Sequence, residues 1–133
     1  MIAGANGTTG KKIVNLLKSS QYFEPVAMVR KEEQIAQFKN EGIDTVLADL
    51  EKDISGLLKN IDKVIFAAGS GGKKVVEVDQ NGAYKFVDDA IKNNIKKFVM
   101  LSSMGADKPS EANDLKEYLK AKHNADEYLK SST

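Results

Sequence analysis

The chain has 133 residues, 41% hydrophobic and 29% charged, with 20 basic against 19 acidic residues and a net charge of +1. That fits one globular domain with a real core, and the even charge balance gives no reason to expect nucleic acid or an anionic membrane as partner. The lack of cysteine excludes disulfides, thiol catalysis and thiolate metal sites, His123 as the only histidine argues against a metal centre or a Ser/His/Asp triad, and with no apolar run near the roughly 20 residues of a membrane span and no secretory leader, a cytoplasmic location is expected.

In chain order, Met1-Ile2-Ala3 reads as the tail of a first strand, and Thr9 to Ser19 as a helix with Ile13, Leu16 and Leu17 inward. Pro25 to Arg30 reads as a second strand, with proline tolerated at its first residue. Lys31 to Glu41 is a helix closed by Gly42, and Thr45 to Asp49 a third strand. A short helix over Ile54 to Asn60 precedes a fourth strand, Lys63 to Gly69. A long helix from Val76 to Asn93, a fifth strand from Lys97 to Ser103 and a last helix from Glu111 to Lys130 complete the chain. Strands that are continuous apolar runs are buried on both faces, as in a parallel sheet between helices. Strand–helix alternation therefore predicts an α/β, Rossmann-type doubly wound parallel sheet of order 3-2-1-4-5 with helices on both faces. Ligand is expected at the carboxyl ends of strands 1 and 4. The first strand is short against the usual 5–6 residues, and the chain stops after a helix where another strand is expected. Both features predict a cofactor-binding domain clipped in front and, by a larger substrate-binding part, behind.

Between the first strand and the first helix lies Gly4-Ala5-Asn6-Gly7-Thr8-Thr9-Gly10, a G-x-x-G-x-x-G pattern. The first glycine permits a tight turn, the second lets backbone approach a pyrophosphate, and the third lets helix pack on strand. Free amides and the dipole at the helix N-terminus favour the diphosphate. Sites for NAD place an acid about 20 residues beyond the glycines, against the ribose hydroxyls. Here that place holds Arg30, followed by Lys31. Two cations attract a 2′-phosphate, which predicts NADP(H) over NAD(H).

With GANGTTG, VRKEEQ, LADL, FAAGSGG and YLKAK in view, the chain resembles the atypical short-chain dehydrogenase/reductases, the NAD(P)H-binding, epimerase/dehydratase-like branch. The resemblance spans the whole chain but only the cofactor half of the family's fold. It implies that Asp49 and Leu50 lie against the adenine, and that Ala67, Ala68 and Gly69 pass the cofactor's ribose and diphosphate. It also implies a Tyr-x-x-x-Lys pair, Tyr118 and Lys122, which share a helix face. Tyr118 would exchange a proton with a substrate oxygen during hydride transfer. Lys122 would hold the nicotinamide ribose and aid Tyr118 by its charge. Ser103, ahead of Ser102, would orient a carbonyl, and Asp79 stands where the family has Asn. The implied activity is NADP(H)-dependent reduction of a small carbonyl substrate. Flavin or biliverdin-like reductase activity, and a non-catalytic NADP(H)-sensing regulator, are the alternatives. His123 is expected to face solvent and Asp88-Asp89 to be surface charge; no metal site is assigned, and oligomeric state is left open.

Overall fold

The computed structural model describes residues 1–132. Five strands form one parallel sheet: β1 (Ile2–Ala3), β2 (Val26–Val29), β3 (Asp44–Leu47), β4 (Lys63–Phe66) and β5 (Lys97–Met100). Their order is β3-β2-β1-β4-β5, as expected from the alternation of elements. The helices are α1 (Thr8–Lys18), α2 (Glu32–Asn40), α3 (Asn81–Lys92) and α4 (Lys116–Ser131).

Side chains alternate across a strand, and the core divides accordingly. Ile2, Ala27 and Val29 face Val14 of α1 and Phe38 of α2. Ala3, Met28 and Phe66 face the other way, toward Phe86 of α3 and Ala125 of α4. Phe66 and Phe86 meet edge-on with ring centroids 5.3 Å apart, an arrangement that aromatic quadrupoles favour. Burial on both faces holds for the central strands only. The edge strands leave Leu47 and Val99 exposed, because the helices do not cover both their faces. No helix among the described residues is long and apolar enough to cross a membrane.

Several local expectations are corrected. The inner face of α1 is Gly10, Ile13, Val14 and Leu17, and Leu16 points to solvent at 74% exposure. Residues 54–60 form successive turns, not a helix, with Leu57 N–H bonded to Ile54 O (3.0 Å) and Ile61 N–H to Leu58 O (3.1 Å). Positive φ at Gly56 (79°) and Asn60 (64°) breaks any helical path there. The long helix opens as a π-helical turn, Val75–Gln80, before α3 begins. The last helix starts only at Lys116: Pro109–Glu111 is a separate 3₁₀ turn, Ala112 is extended, and Leu115 is left-handed.

Candidate functional site

At the carboxyl end of β1 the chain turns through Gly4, at φ +79°. A Cβ there would lie 2.5 Å from Ala67 O and 2.6 Å from Ala68 Cα. Only glycine lets this loop rest on the segment that leaves β4. Gly7 N–H closes the turn onto Gly4 O (3.0 Å). Gly10 then lies directly on Gly4, where a Cβ would come within 1.9 Å of Gly4 O. The outer two glycines are thus demanded by packing. Gly7 is exposed, and a Cβ there would make one tight contact, 3.3 Å from Gly4 O, so its lack of a side chain mainly leaves the loop's outer surface open.

Two features of this loop fit an anionic dinucleotide. Gly7 precedes α1 without a side-chain cap, and the first turn of α1 carries no acidic residue. Its leading amides and positive dipole end are therefore unopposed. Asn6 Oδ1 is buried and has no hydrogen-bond partner among the described residues, a cost that a donor on a ligand would remove.

The loop borders a cleft of about 280 Å³ across the carboxyl ends of the strands. Of the residues expected at a cofactor, Gly4, Asn6, Gly7, Arg30, Asp49, Leu50, Ala67, Ala68 and Gly69 line it. Thr8, Thr9, Gly10, Lys31 and Lys122 do not: Gly10 is buried beneath the loop, the two threonines and Lys31 point to solvent, and Lys122 is buried on α4. A larger hollow, about 700 Å³, opens at the opposite end of the strands around Phe23, Pro25 and Lys63. It contains none of the residues expected at a cofactor or in catalysis and lies away from the glycine loop, so the smaller cleft is the candidate.

Apart from Asp49, the side chains that hold the walls are ones the sequence did not single out. Gln34 Oε1 accepts from the N–H groups of Arg30 and Lys31, both at 3.1 Å, bracing the turn from β2 to α2. Asp49 Oδ1 accepts Glu51 N–H at 2.9 Å. Lys85 on α3 donates to Leu50 O (2.8 Å) and Lys52 O (2.9 Å), anchoring the lip after β3. Glu51 on that lip pairs with Lys74, beyond the β4 segment, at 2.7 Å.

Beyond Ser70, the π turn and α4 pack together and enclose charged groups. Asp79 is buried, and its Oδ2 accepts the Ser70 hydroxyl (2.7 Å) and N–H (3.3 Å). Lys122 is only 3% exposed and makes no hydrogen bond among the described residues. Burial lowers its pKa from the ordinary lysine value, against the opposing pull of Asp126 and Asp79. Asp126 also accepts the Ser102 hydroxyl. Asp79 with Ser70, and Asp126 with Ser102, thus lie near enough to act on Lys122 through their charge, although no ion pair joins either acid to it among the described residues. Tyr118 stands one turn before Lys122, half-buried, and neither its hydroxyl nor that of Ser103 bonds to a described residue.

Two polar residues expected at the surface are not there. Asp89 is buried, and its two oxygens each accept a backbone N–H, from Gly56 and Leu58, at 2.8 Å. His123 is half-buried with Nδ1 2.8 Å from Ala106 O, tying α4 to the turn after β5. Asp88 is exposed, as expected, and accepts the Tyr128 hydroxyl at 2.7 Å.

A family model described as NAD(P)H-binding matches residues 4–133. A Bacillus subtilis protein named as an uncharacterized sugar epimerase is 40% identical, over 98% of this chain and 65% of its own length. A Bacillus halodurans structure, provisionally named an NAD-dependent epimerase/dehydratase, is 41% identical with a TM-score of 0.89, over 97% of this chain and 63% of that one. The oxidoreductase ylbE from Lactococcus lactis is 34% identical with a TM-score of 0.87, over 99% and 63%. The chain thus spans less than two thirds of the length of each. At 19% identity the fold alone is shared with an Escherichia coli NADPH-dependent quinone oxidoreductase complexed with NADPH (TM-score 0.80) and a Bordetella bronchiseptica enzyme in complex with NAD+ (0.78).

Proposed function

Because this chain belongs to the NAD(P)H-binding family, we propose that its 133 residues form the cofactor half of an oxidoreductase that prefers NADP(H) and reduces a small carbonyl compound. The observation that carries this reading is the glycine loop with its uncapped helix and orphaned Asn6 Oδ1, opening on a cleft with Arg30 at the rim. Gly4, Asn6, Gly7 and the leading amides of α1 are assigned to the diphosphate. Arg30, with Lys31 behind it, is assigned to a 2′-phosphate, Asp49 and Leu50 to the adenine, and Ala67 to Gly69 to the adjoining ribose and diphosphate.

The cofactor, when bound, supplies the hydride. Tyr118 is assigned the proton exchange with the substrate oxygen, and Lys122 the hold on the nicotinamide ribose. Two acids stand against Lys122, and their charge offsets part of the cost of burying an ammonium group. Asp79 in this reading is a counter-charge already engaged by Ser70, rather than a stand-in for the family's asparagine. Ser103 is preferred over Ser102 as the group that orients a carbonyl, because the Ser102 hydroxyl is spent on Asp126.

Calorimetric titration with NADPH and, separately, NADH tests the reading. Tight NADPH binding, much weaker NADH binding, and loss of that difference in Arg30→Ala are expected. A folded chain that binds neither would overturn it.

A further inference from the structure

The geometry points to Gln34 as a second selector of the cofactor's 2′-phosphate, acting through its amide N–H groups while its carbonyl holds the turn. This rests on the reading of the cleft as the adenosine end of an NADP(H) site.

Gln34 stands in the first turn of α2 and lines the cleft beside Arg30. Its Oε1 receives two backbone donors at once, the N–H groups of Arg30 and Lys31. A backbone N–H only donates, so the atom it meets must be the oxygen, and the amide cannot flip without losing both bonds. What Gln34 has left to offer is Nε2, which carries two donors and no acceptor. Lys31, Glu32 and Glu33 follow in sequence but do not line the cleft. Of the residues of this turn that line the cleft, the side-chain groups left to offer are therefore a guanidinium and an amide N–H, both donors.

That chemistry discriminates. A ribose 2′-hydroxyl is served by an acceptor for its proton, which is why NAD sites place a carboxylate there. A 2′-phosphate has only acceptor oxygens to present and suits a lip made of donors. The bracing bonds also hold the backbone from which Arg30 projects, so one side chain sets the turn and supplies part of the recognition. Glutamate at this position would keep an oxygen for the turn while replacing the donor by a negative acceptor.

The test is calorimetry with 2′,5′-ADP and 5′-ADP, which differ only in the 2′-phosphate, on wild type, Gln34→Glu and Gln34→Met. Wild type should favour 2′,5′-ADP. Each variant should lower that preference about tenfold or more, the scale of one hydrogen bond to a charged acceptor. Because both ligands share the adenosine, the ratio corrects for general weakening of the cleft, and Gln34→Glu, which keeps an oxygen on the Arg30 and Lys31 N–H groups, separates loss of the donor from loosening of the turn. A preference retained in both variants overturns the role of Gln34, and so does a preference lost only in Gln34→Glu, where added charge would suffice. Wild type with no preference for 2′,5′-ADP would instead overturn the NADP(H) reading itself.

Discussion

Alanine at Gly10 separates the packing role of the glycine loop from its ligand role. Gly10 lies in the first turn of α1, and at an unconstrained helix position Gly→Ala stabilises by about 1 kcal/mol. Here the new Cβ would lie 1.9 Å from Gly4 O, 2.7 Å from Gly4 C and 2.9 Å from Ala5 Cα. All three are backbone atoms, so no rotamer relieves the overlap. Reaching ordinary contact distance requires α1 to retreat by roughly 1.5 Å. The retreat opens a gap along Ile13, Val14 and Leu17, which pack on Ile2, Ala27 and Val29. A gap of 0.5–1 Å already forfeits about a quarter to a half of the dispersion well. The cost therefore belongs at the upper end of the overpacking range, about 3 kcal/mol, or roughly 10 °C in Tm for a domain of this size. Urea unfolding followed by circular dichroism measures it. Gly7→Ala is the control: its Cβ meets only Gly4 O, at 3.3 Å. It should leave stability within about 1 kcal/mol while weakening NADPH binding. A Gly10→Ala protein as stable as wild type would refute the packing argument.

Asp89→Ala should cost about 2 kcal/mol in urea unfolding, because it strands the buried Leu58 N–H and frees the part-buried Gly56 N–H, both of which now meet a carboxylate; Asp89→Asn, which keeps one oxygen, should cost less, and no loss in either would contradict the role given to this side chain. Burial lowers the Lys122 pKa, so its ammonium opposes folding below the folded-state pKa, and that cost fades as pH rises toward the unfolded value of 10.5. Wild type should therefore gain stability relative to Lys122→Met as pH rises through the alkaline range, and parallel pH profiles for the two proteins would exclude a buried charged lysine. Tyr118→Phe should leave NADPH binding intact and abolish carbonyl reduction; a reductase activity that survives it would favour flavin-type chemistry, which relies less on the Tyr/Lys pair.

What the sequence made legible was local. The glycine spacing, the position of Arg30 and the strand–helix alternation each sit within a few residues, and the parallel order 3-2-1-4-5 follows from them. The face of α1 was misread because Gly10, which carries no hydrophobic signal, is one of its inward positions. That shifts the buried stripe off Leu16. The turns at 54–60 did have a signal, in Gly56 and Asn60, outweighed by Ile54, Leu57, Leu58 and Ile61. Asp89 could not be read at all. Its partners lie 33 and 31 residues away, and adjacent aspartates on a helix look like solvated charge whichever one turns inward. The partner of His123 is likewise 17 residues distant. Gln34 was readable in principle, since glutamine at the third position of a helix is a capping signature; Lys31, in place of serine or threonine ahead of it, hid the motif.

The two ends of the candidate site differ in what holds them. Around Arg30 and Asp49, braces run from side chain to nearby backbone, and the ion pair that joins the walls among the described residues, Lys74 with Glu51, is exposed enough to contribute little. Near Lys122, departures from local rules gather in the elements that enclose one place. A π-helical turn buries Asp79, a left-handed Leu115 starts the helix that carries Lys122, and that largely buried lysine feels the charge of Asp126 and Asp79. Packing does not require the lysine: an apolar side chain at 122 would fill the same space without the desolvation cost of a charge. On the proposed function, departures from local rules gathered in one place fit a site kept for its chemistry. The end beside Lys122 is therefore where substitutions that raise stability while lowering activity should concentrate.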